Sequence, residues 1–123
     1  MTDYPPLDHA PIGDQWSGPC EAAFEFLAEN HPSELLRLIV SNRLRPTDLT
    51  FAAEIAGRLS DGAAVRRTLL PLLMHDDAVV REGAICGLAQ HGDETVRAAL
   101  IRHSASDPSP AVRQAETDAL ADL

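Results

Sequence analysis

The sequence predicts an all-α superhelix of about three and a half helical hairpins behind an irregular N-terminal arm. First, a motif recurs at a fixed period, because Val80-Arg81 returns 32 residues later as Val112-Arg113. Second, hydrophobic residues make up 45% of the chain but aromatic residues only 4%. Such a core consists mainly of Ala, Leu, Val and Ile, which suits closely packed helices. Third, segments with helical hydrophobic spacing alternate with turns rich in Pro, Gly and Asp.

Size and charge limit the possible functions. The 123 residues fit one domain with a modest core. The net charge of −9 argues against binding of nucleic acid or of an anionic membrane by the whole surface. The sequence contains no Lys, which excludes Schiff-base chemistry at a lysine amine. The sequence has no apolar run of about 20 residues, no secretion signal and no disulfide framework, so we expect a cytoplasmic protein. Its residue usage is typical of a GC-rich bacterial genome.

Residues 1–18 are predicted to form the irregular arm, because three prolines and two glycines interrupt any helix there. The arm also carries the apolar residues Tyr4, Leu7, Ile12 and Trp16. These favour an arm that folds over the first helices and caps their exposed apolar side. The alternative is an extended peptide that binds in a partner's groove.

Residues 19–123 are predicted to form the repeat domain, in which each hairpin has a first helix (A) and a second helix (B). The expected A helices cover about residues 19–29, 49–59, 78–90 and 111–123, and the expected B helices about residues 34–43, 63–74 and 94–103. Ser33 is the expected N-cap of the first B helix. Pro71 lies inside the second B helix, where its missing N–H predicts a kink. The last A helix has no B partner, so its far side is expected either to mediate self-association or to cap the fold.

Three segments carry a family resemblance. The first segment, residues 77–88, contains Asp-x-x-Val-Arg and a small residue before Leu. The other two are in the B helices, where Val65-Arg66 is followed 31 residues later by Val96-Arg97. This pattern resembles the HEAT repeat, in particular its short bacterial form. The match is good over residues 47–123 and looser over 19–46. The resemblance implies a non-enzymatic scaffold that presents a curved surface to another protein.

The resemblance also implies a structural role for the arginines of the motif. Arg81 and Arg113 are expected to reach acids such as Asp77 and Asp107 in the turns between repeats. Contacts of this kind would link neighbouring repeats.

Two glycines stand inside the third A helix. Gly83 and Gly87 each cost up to about 1 kcal/mol relative to Ala, which predicts that the A and B backbones approach closely there. Cys86 lies between them and is expected to be a buried small hydrophobic residue instead of a nucleophile. Cys20, in a first helical turn, has no His placed to activate it.

The sequence shows no catalytic constellation, so we predict no enzyme activity, no cofactor and no metal. The five histidines include no His-x-x-x-His or His-Glu pair, and roles in turns and caps explain them. A Gly-rich phosphate loop and a motif for a Ser nucleophile are missing as well.

The arginines of the B helices give the main functional prediction. By the resemblance, the B helices line the concave surface, so these side chains would form a groove for another protein with acidic or phosphorylated contact points. The predicted partner-binding residues are Arg37, Arg66, Arg67, Arg97 and Arg102. The alternative is that these arginines pair with acids of their own helices, such as Glu34 and Glu94, and face water.

Three other functional classes stay open. An acidic inhibitor or immunity-type protein would neutralise a basic partner through the acids of the A helices. Those acids are Glu21, Glu25, Glu29, Glu54, Glu82, Glu116 and Asp118. An enzyme subunit is the second class, since bilin lyases and some DNA glycosylases resemble HEAT solenoids. A glycosylase needs aromatic groups that stack on bases, however, and Trp16 is the only Trp in the sequence. The third class is a structural spacer.

Overall fold

Seven α-helices and a 3₁₀ helix follow one another in the part of the chain that the computed structural model describes, residues 13–123, with side chains described from residue 21. They are α1 (Gly13–Asn30), α2 (Pro32–Val40), α3 (Pro46–Ala56), α4 (Gly62–Leu69), the 3₁₀ helix (Leu70–Met74), α5 (Ala78–Ala89), α6 (Glu94–Ser104) and α7 (Pro110–Ala121). Within these residues there is no strand, which confirms the all-α fold class.

The helices form two layers. α1, α3, α5 and α7 pack side by side as the A layer, and α2, α4 and α6 pack against them as the B layer. The core lies between the layers and consists almost entirely of Leu, Ile, Val and Ala. Its largest fully buried apolar side chains are Leu35, Leu69, Ile85, Leu88 and Leu100. The chain therefore alternates between the layers as an α-solenoid does.

The two glycines of α5 permit a close approach, but not the one that the sequence predicted. A Cβ added at Gly83 would lie 2.8 Å from the carbonyl oxygen of Thr50, and one added at Gly87 would meet the carbonyl oxygen of Ala53. Both Thr50 and Ala53 belong to α3, so the close contact joins two A helices of neighbouring hairpins. The predicted A-to-B approach is wrong, because the backbone atoms that meet Gly83 and Gly87 belong to α3, an A helix.

Acids and a serine at the helix starts fix where four helices begin. Asp61, Asp77 and Asp93 each accept a hydrogen bond from a backbone N–H in the first turn of α4, α5 and α6, at 2.9 to 3.1 Å. Ser109 does the same for α7. These side chains satisfy amide groups that have no partner inside the helix. The recurring turn acids of the sequence are therefore N-caps.

Two predicted helix starts differ from the structure. Ser33 is not the N-cap of α2, because His31 holds that position without a side-chain cap bond and Pro32 occupies the first turn, where a missing N–H costs nothing. Helix α1 begins at Gly13, so the prediction of an irregular arm to residue 18 is wrong for residues 13–18. Pro19 removes a single helical hydrogen bond there, and the helix continues through it. Residues 1–12, with their predicted capping role, lie outside the described residues.

Pro71 lies where the geometry of the second B helix changes, the helix in which the sequence predicted a kink. Helix α4 ends at Leu69 and the chain continues as the 3₁₀ helix. The switch follows from the missing N–H of Pro71, which removes one α-helical hydrogen bond.

Among the described helices, none combines the length and the apolar character that crossing a lipid bilayer requires.

Candidate functional site

Two of the five predicted partner-binding arginines already have intramolecular partners. Arg37 pairs with Glu34 at 3.0 Å on an exposed surface. Arg66 pairs with Asp93 at 3.1 Å and donates to the carbonyl oxygen of His91 at 3.4 Å, which joins α4 to the turn before α6. The alternative of pairing with local acids is therefore correct for Arg37, although Arg66 pairs with an acid of the next hairpin.

The other three predicted arginines are exposed. Arg67, Arg97 and Arg102 have neither a hydrogen-bond nor an ion-pair partner among residues 21–123. Arg67 lies on α4, whereas Arg97 and Arg102 lie on α6. A guanidinium group without an internal partner keeps all five of its N–H donors for an external carboxylate or phosphate.

Arg102 also lines a groove of about 480 Å³ beside the 3₁₀ helix, here called the α6 groove. Its lining residues are Leu70, Leu73, Met74, Thr95, Ala99, Arg102, His103 and Ser106. Met74 is 78% exposed, so its flexible thioether forms a bare apolar rim. No acid is among the lining residues, although the whole chain carries a net charge of −9.

Sequence reasoning identified Arg102 but missed the apolar part of the α6 groove. The second B helix was expected to run to about residue 74 with a kink at Pro71 and with Leu73 pointing inward, and no role was predicted for Met74. The 3₁₀ geometry after Pro71 keeps Leu73 in the core and turns Met74 toward solvent. The signal for this was Pro71 itself, because a break in helical geometry changes which side chains face the surface.

A buried network of four ionisable side chains lies next to the α6 groove. His103 Nδ1 is 2.7 Å from Glu116 Oε2, and His103 Nε2 is 3.5 Å from Asp107 Oδ2. Asp107 accepts two parallel hydrogen bonds from Arg81, at 2.8 and 3.1 Å. The network joins α5, α6, the turn after α6, and α7.

The network partly bears out the roles that the resemblance implied. Arg81 reaches Asp107 of the following turn, as expected, and its Nη1 also donates to the carbonyl oxygen of His75 at 2.7 Å. Asp77 is not its partner, because that carboxylate caps α5. Arg113 reaches Asp107 through the backbone carbonyl oxygen at 2.6 Å, since Arg81 already occupies the carboxylate.

Glu116 was predicted to be one of the surface acids of the A helices, and this prediction is wrong. Its side chain is fully buried, and its Oε1 has no hydrogen-bond partner. A signal was present in the sequence, because Glu116 lies four residues after Val112 and three before Ala119, both buried on the same stripe of α7. Burial raises the pKa of Glu116, although the hydrogen bond with His103 opposes this effect.

Asp107 responds differently to the same surroundings. Burial acts to raise the pKa of Asp107, but the hydrogen bonds from Arg81 and from the backbone N–H of Ser109, together with the charge of Arg81, hold the pKa below its ordinary value. Asp107 is therefore a carboxylate at neutral pH. Its charge is balanced inside the protein by the guanidinium.

His103, Asp107 and Glu116 each place one possible metal-ligating atom within 4.8 Å of the others. Their spacing in the sequence gave no indication of this grouping. Both ring nitrogens of His103 face carboxylates, and Asp107 is held by Arg81 through both oxygens. These contacts are those of a buried ion network, in which every ligating atom of the three side chains except Glu116 Oε1 already faces a partner.

Cys86 is an exposed free thiol, so its predicted burial is wrong. Gly83 and Gly87 face α3, and Cys86, one residue before Gly87, falls on the outer side of α5. Partial burial, followed by the negative charges of Glu54 and Glu82, raises the pKa of the Cys86 thiol. The thiol form, which is the poorer nucleophile, is favoured there. The side chain of Cys20 lies outside the described residues.

The same outer side of the A layer carries uncompensated acids. Burial and the neighbouring Glu21 raise the pKa of Glu54, with a further contribution from Glu82, while Arg58 lowers it. Arg58 pairs with Glu25 at 3.1 Å. One arginine thus serves several glutamates, and this acidic A-layer face retains a negative potential.

The outward side of α7 is polar. Gln114 donates to Asp118 at 2.8 Å, and Arg113, Thr117 and Asp118 are exposed. Its apolar residues Val112 and Ala119 are buried against the preceding helices. This helix thus has one buried stripe and one polar stripe, and the polar stripe favours the predicted capping role over the predicted self-association surface.

A family model described as HEAT repeats matches residues 33–121. No curated protein and no solved structure matches the chain.

Proposed function

Because the chain belongs to the HEAT-repeat family, we propose that it is a non-enzymatic interaction module that binds another protein in the α6 groove. HEAT repeats generally mediate interactions between proteins. The observation that carries the proposal is an apolar groove in an acidic chain, lined by no acid and by an Arg102 that has no partner among residues 21–123.

The lining of the α6 groove defines the chemistry of the partner. Met74 and the leucines of the 3₁₀ helix offer contact to an apolar side chain, and full burial of a Met side chain contributes about 1.5–3 kcal/mol. Arg102 offers two parallel hydrogen bonds to a carboxylate or phosphate. The partner is therefore a segment that carries an apolar anchor beside an acidic group.

The acidic remainder of the surface contributes to specificity. A partner with acids spread over its whole surface is repelled by the A-layer face, whereas one acidic segment aimed at Arg102 is attracted. Arg67 and Arg97, which are exposed on the B helices, extend this positive region in the proposal. Arg37 and Arg66 contribute less to partner binding in the proposal, because their guanidinium groups already have intramolecular partners.

Affinity capture from lysate of the native host with matched charge reversals tests this proposal. Arg102→Glu reverses a charge in the groove, and Arg43→Glu reverses an exposed charge outside the groove lining. We expect the wild type and Arg43→Glu to retain the same protein, identified by mass spectrometry, and Arg102→Glu to lose it. Removing the apolar rim with Met74→Ser should weaken capture even at high salt. Equal capture by Arg102→Glu and Arg43→Glu would rule out the groove.

The acidic A-layer face supports a second candidate, an inhibitor-type protein that neutralises a basic partner. The observation in its favour is the raised pKa of Glu54, which reflects burial and crowding by Glu21 and Glu82. A basic partner would be lost at high salt and from the double variant Glu54→Gln, Glu82→Gln. It would be retained by Arg102→Glu, which separates this candidate from the groove.

A further inference from the structure

The ring of His103 is held between two carboxylates that come from different parts of the chain. Glu116 of α7 lies at one ring nitrogen, and Asp107 of the turn after α6 lies at the other. The His103 side chain is 13% exposed, and the two carboxylates are 0% and 1% exposed. Water therefore does not screen these contacts, and the hydrogen atoms on the ring decide whether each contact is attractive.

A neutral imidazole cannot satisfy both contacts. It has one N–H donor and one lone pair. If Nδ1 carries the hydrogen, the lone pair of Nε2 faces Asp107, and if Nε2 carries it, the lone pair of Nδ1 faces Glu116 at 2.7 Å. One additional proton removes the conflict, either on the ring or shared between Nδ1 and Glu116 Oε2. Both contacts are therefore attractive at the same time only when one additional proton is bound.

We propose that His103 and Glu116 form a buried proton-binding site that fastens α7 to α6, and that loss of this proton at alkaline pH loosens α7. Without the proton, two arrangements remain. In the first, the fully buried Glu116 carboxylate faces the lone pair of His103 Nδ1. In the second, Nδ1 donates to Glu116, and the lone pair of Nε2 faces Asp107. The second oxygen of Glu116, Oε1, has no other donor among the described residues. Separation of α7 from α6 then relieves the repulsion.

The surrounding charged groups do not replace the proton. From α5, Arg81 faces Asp107 and binds both of its oxygens. From α7 itself, Arg113 donates to the carbonyl oxygen of Asp107. His75, in the turn before α5, accepts a hydrogen bond from the N–H of Asp77. Among the described residues that pack around the pair, none donates to Glu116 except His103.

The direction of the pH dependence follows from proton counting. The folded pair holds one proton, whereas an unfolded His releases its proton above about pH 6.5. Above that pH the folded state binds more protons than the unfolded state, so the stability falls as the pH rises. For one proton, the unfolding equilibrium constant increases by up to about tenfold per pH unit.

Urea unfolding of the full chain between about pH 6 and 9 tests the proposal. Glu116→Gln keeps the shape of the side chain, and its amide can donate to Nδ1 while Nε2–H donates to Asp107, so no additional proton is needed. We expect the wild type to lose stability with rising pH and Glu116→Gln to lack the part of this slope that one proton contributes, up to about tenfold in the unfolding equilibrium constant per pH unit. Glu82→Gln, which removes a carboxylate of α5 outside the network, should follow the wild type. Parallel slopes for the wild type and Glu116→Gln would overturn the proposal.

Two further measurements keep the proposal testable if Glu116→Gln does not fold. In an NMR titration of the wild type, the His103 ring nitrogens and the amides of α7 should change together as the pH rises. A ring that holds a single hydrogen beside an ionised Glu116 carboxylate at pH 7, while both carboxylate contacts and α7 stay intact, would overturn the proposal. Zinc added at neutral pH should leave the thermal stability of the wild type unchanged, and a stabilisation that Glu116→Gln abolishes would assign the cluster to a metal instead.

The α6 groove shares His103 with the proton-binding site. Loss of the proton would move one wall of the groove, so partner binding should weaken together with the docking of α7. This consequence rests on the proposed function, whereas the fastening of α7 does not. If the stability depends on pH as expected but no partner is captured, the result supports the proton-binding site. It then contradicts only the proposal that the α6 groove binds a partner.

Discussion

Asp107 holds three parts of the chain together through separate polar groups. Its carboxylate accepts hydrogen bonds from Arg81 of α5 and from the N–H of Ser109 at the start of α7, and its carbonyl oxygen accepts one from Arg113. The side chain has almost no contact with solvent, so these donors replace water. A buried charge with complete hydrogen bonding of this kind fixes the position of the turn, and removal of one partner would be strongly destabilising.

The lowered pKa of Asp107 predicts a specific loss of stability in acid. Its contribution is fully present above the pKa of an unfolded Asp, about 3.9, and is lost as the pH falls through the lower pKa of the folded state. We expect the free energy of unfolding to fall more steeply below about pH 4 for the wild type than for Asp107→Asn. Urea unfolding across this range measures both slopes, and identical slopes would contradict the role of Arg81 as its charge partner.

The raised pKa of Cys86 predicts a slow thiol. In a Cys20→Ser background, Cys86 should react with a disulfide reagent at about pH 8 more slowly than glutathione, because less of it is thiolate. Glu54→Gln and Glu82→Gln should each increase the rate, since each removes a negative charge that raises the pKa. Asp118→Asn, a charge change on α7, serves as the control. Rates that do not respond to Glu54 or Glu82 would leave partial burial as the only cause.

At the scale of helices, the packing of α3 on α5 brings two backbones into close contact. Thr50 Oγ1 donates to the carbonyl oxygen of Val79 at 2.8 Å, so a hydrogen bond also joins the two helices. Gly83 and Gly87 leave no space for a side chain on this face. The helical propensity lost at each glycine, about 1 kcal/mol, is offset by this packing between hairpins.

Substitution of Gly83 should therefore destabilise the protein although Ala is the better helix former. In Gly83→Ala, the new Cβ would lie 2.8 and 2.9 Å from the carbonyl oxygen and Cα of Thr50, which the backbone cannot avoid by a rotamer change. We expect a loss of about 1–3 kcal/mol in the free energy of unfolding. Gly92→Ala is the matched control, because a Cβ there meets only the side chain of Leu123 near the chain end. A stabilised Gly83→Ala would contradict the contact.

The helices could be predicted largely from local patterns, and the contacts between them only in part. Asp61, Asp77 and Asp93 follow a repeating period and cap their helices, so the helix starts after them were predictable. The partner of Gly83 was not, because a glycine shows that something approaches closely and not which helix does. Glu116 was misplaced for a similar reason, since its contact with His103 depends on how α7 lies against α6.

On the scale of the whole molecule, charge is distributed unevenly between the two layers. On the A-layer face, Glu21 and Glu82 lie close enough to Glu54 to raise its pKa, in addition to the effect of burial. The α6 groove has Arg102 and no acid. The sequence could predict this difference from the residue types of the A and B helices. It could not predict which arginines remain unpaired, because the partner of Arg66 belongs to the next hairpin.

The close contact between α3 and α5 has a mechanical consequence. Two backbones in direct contact resist compression and sliding. The walls of the α6 groove are not packed against each other in this way, so they can move closer together. We therefore expect stiffness at the contact between α3 and α5 and compliance at the α6 groove. A load applied across the hairpins would change the width of the groove before it separates the glycine-packed helices.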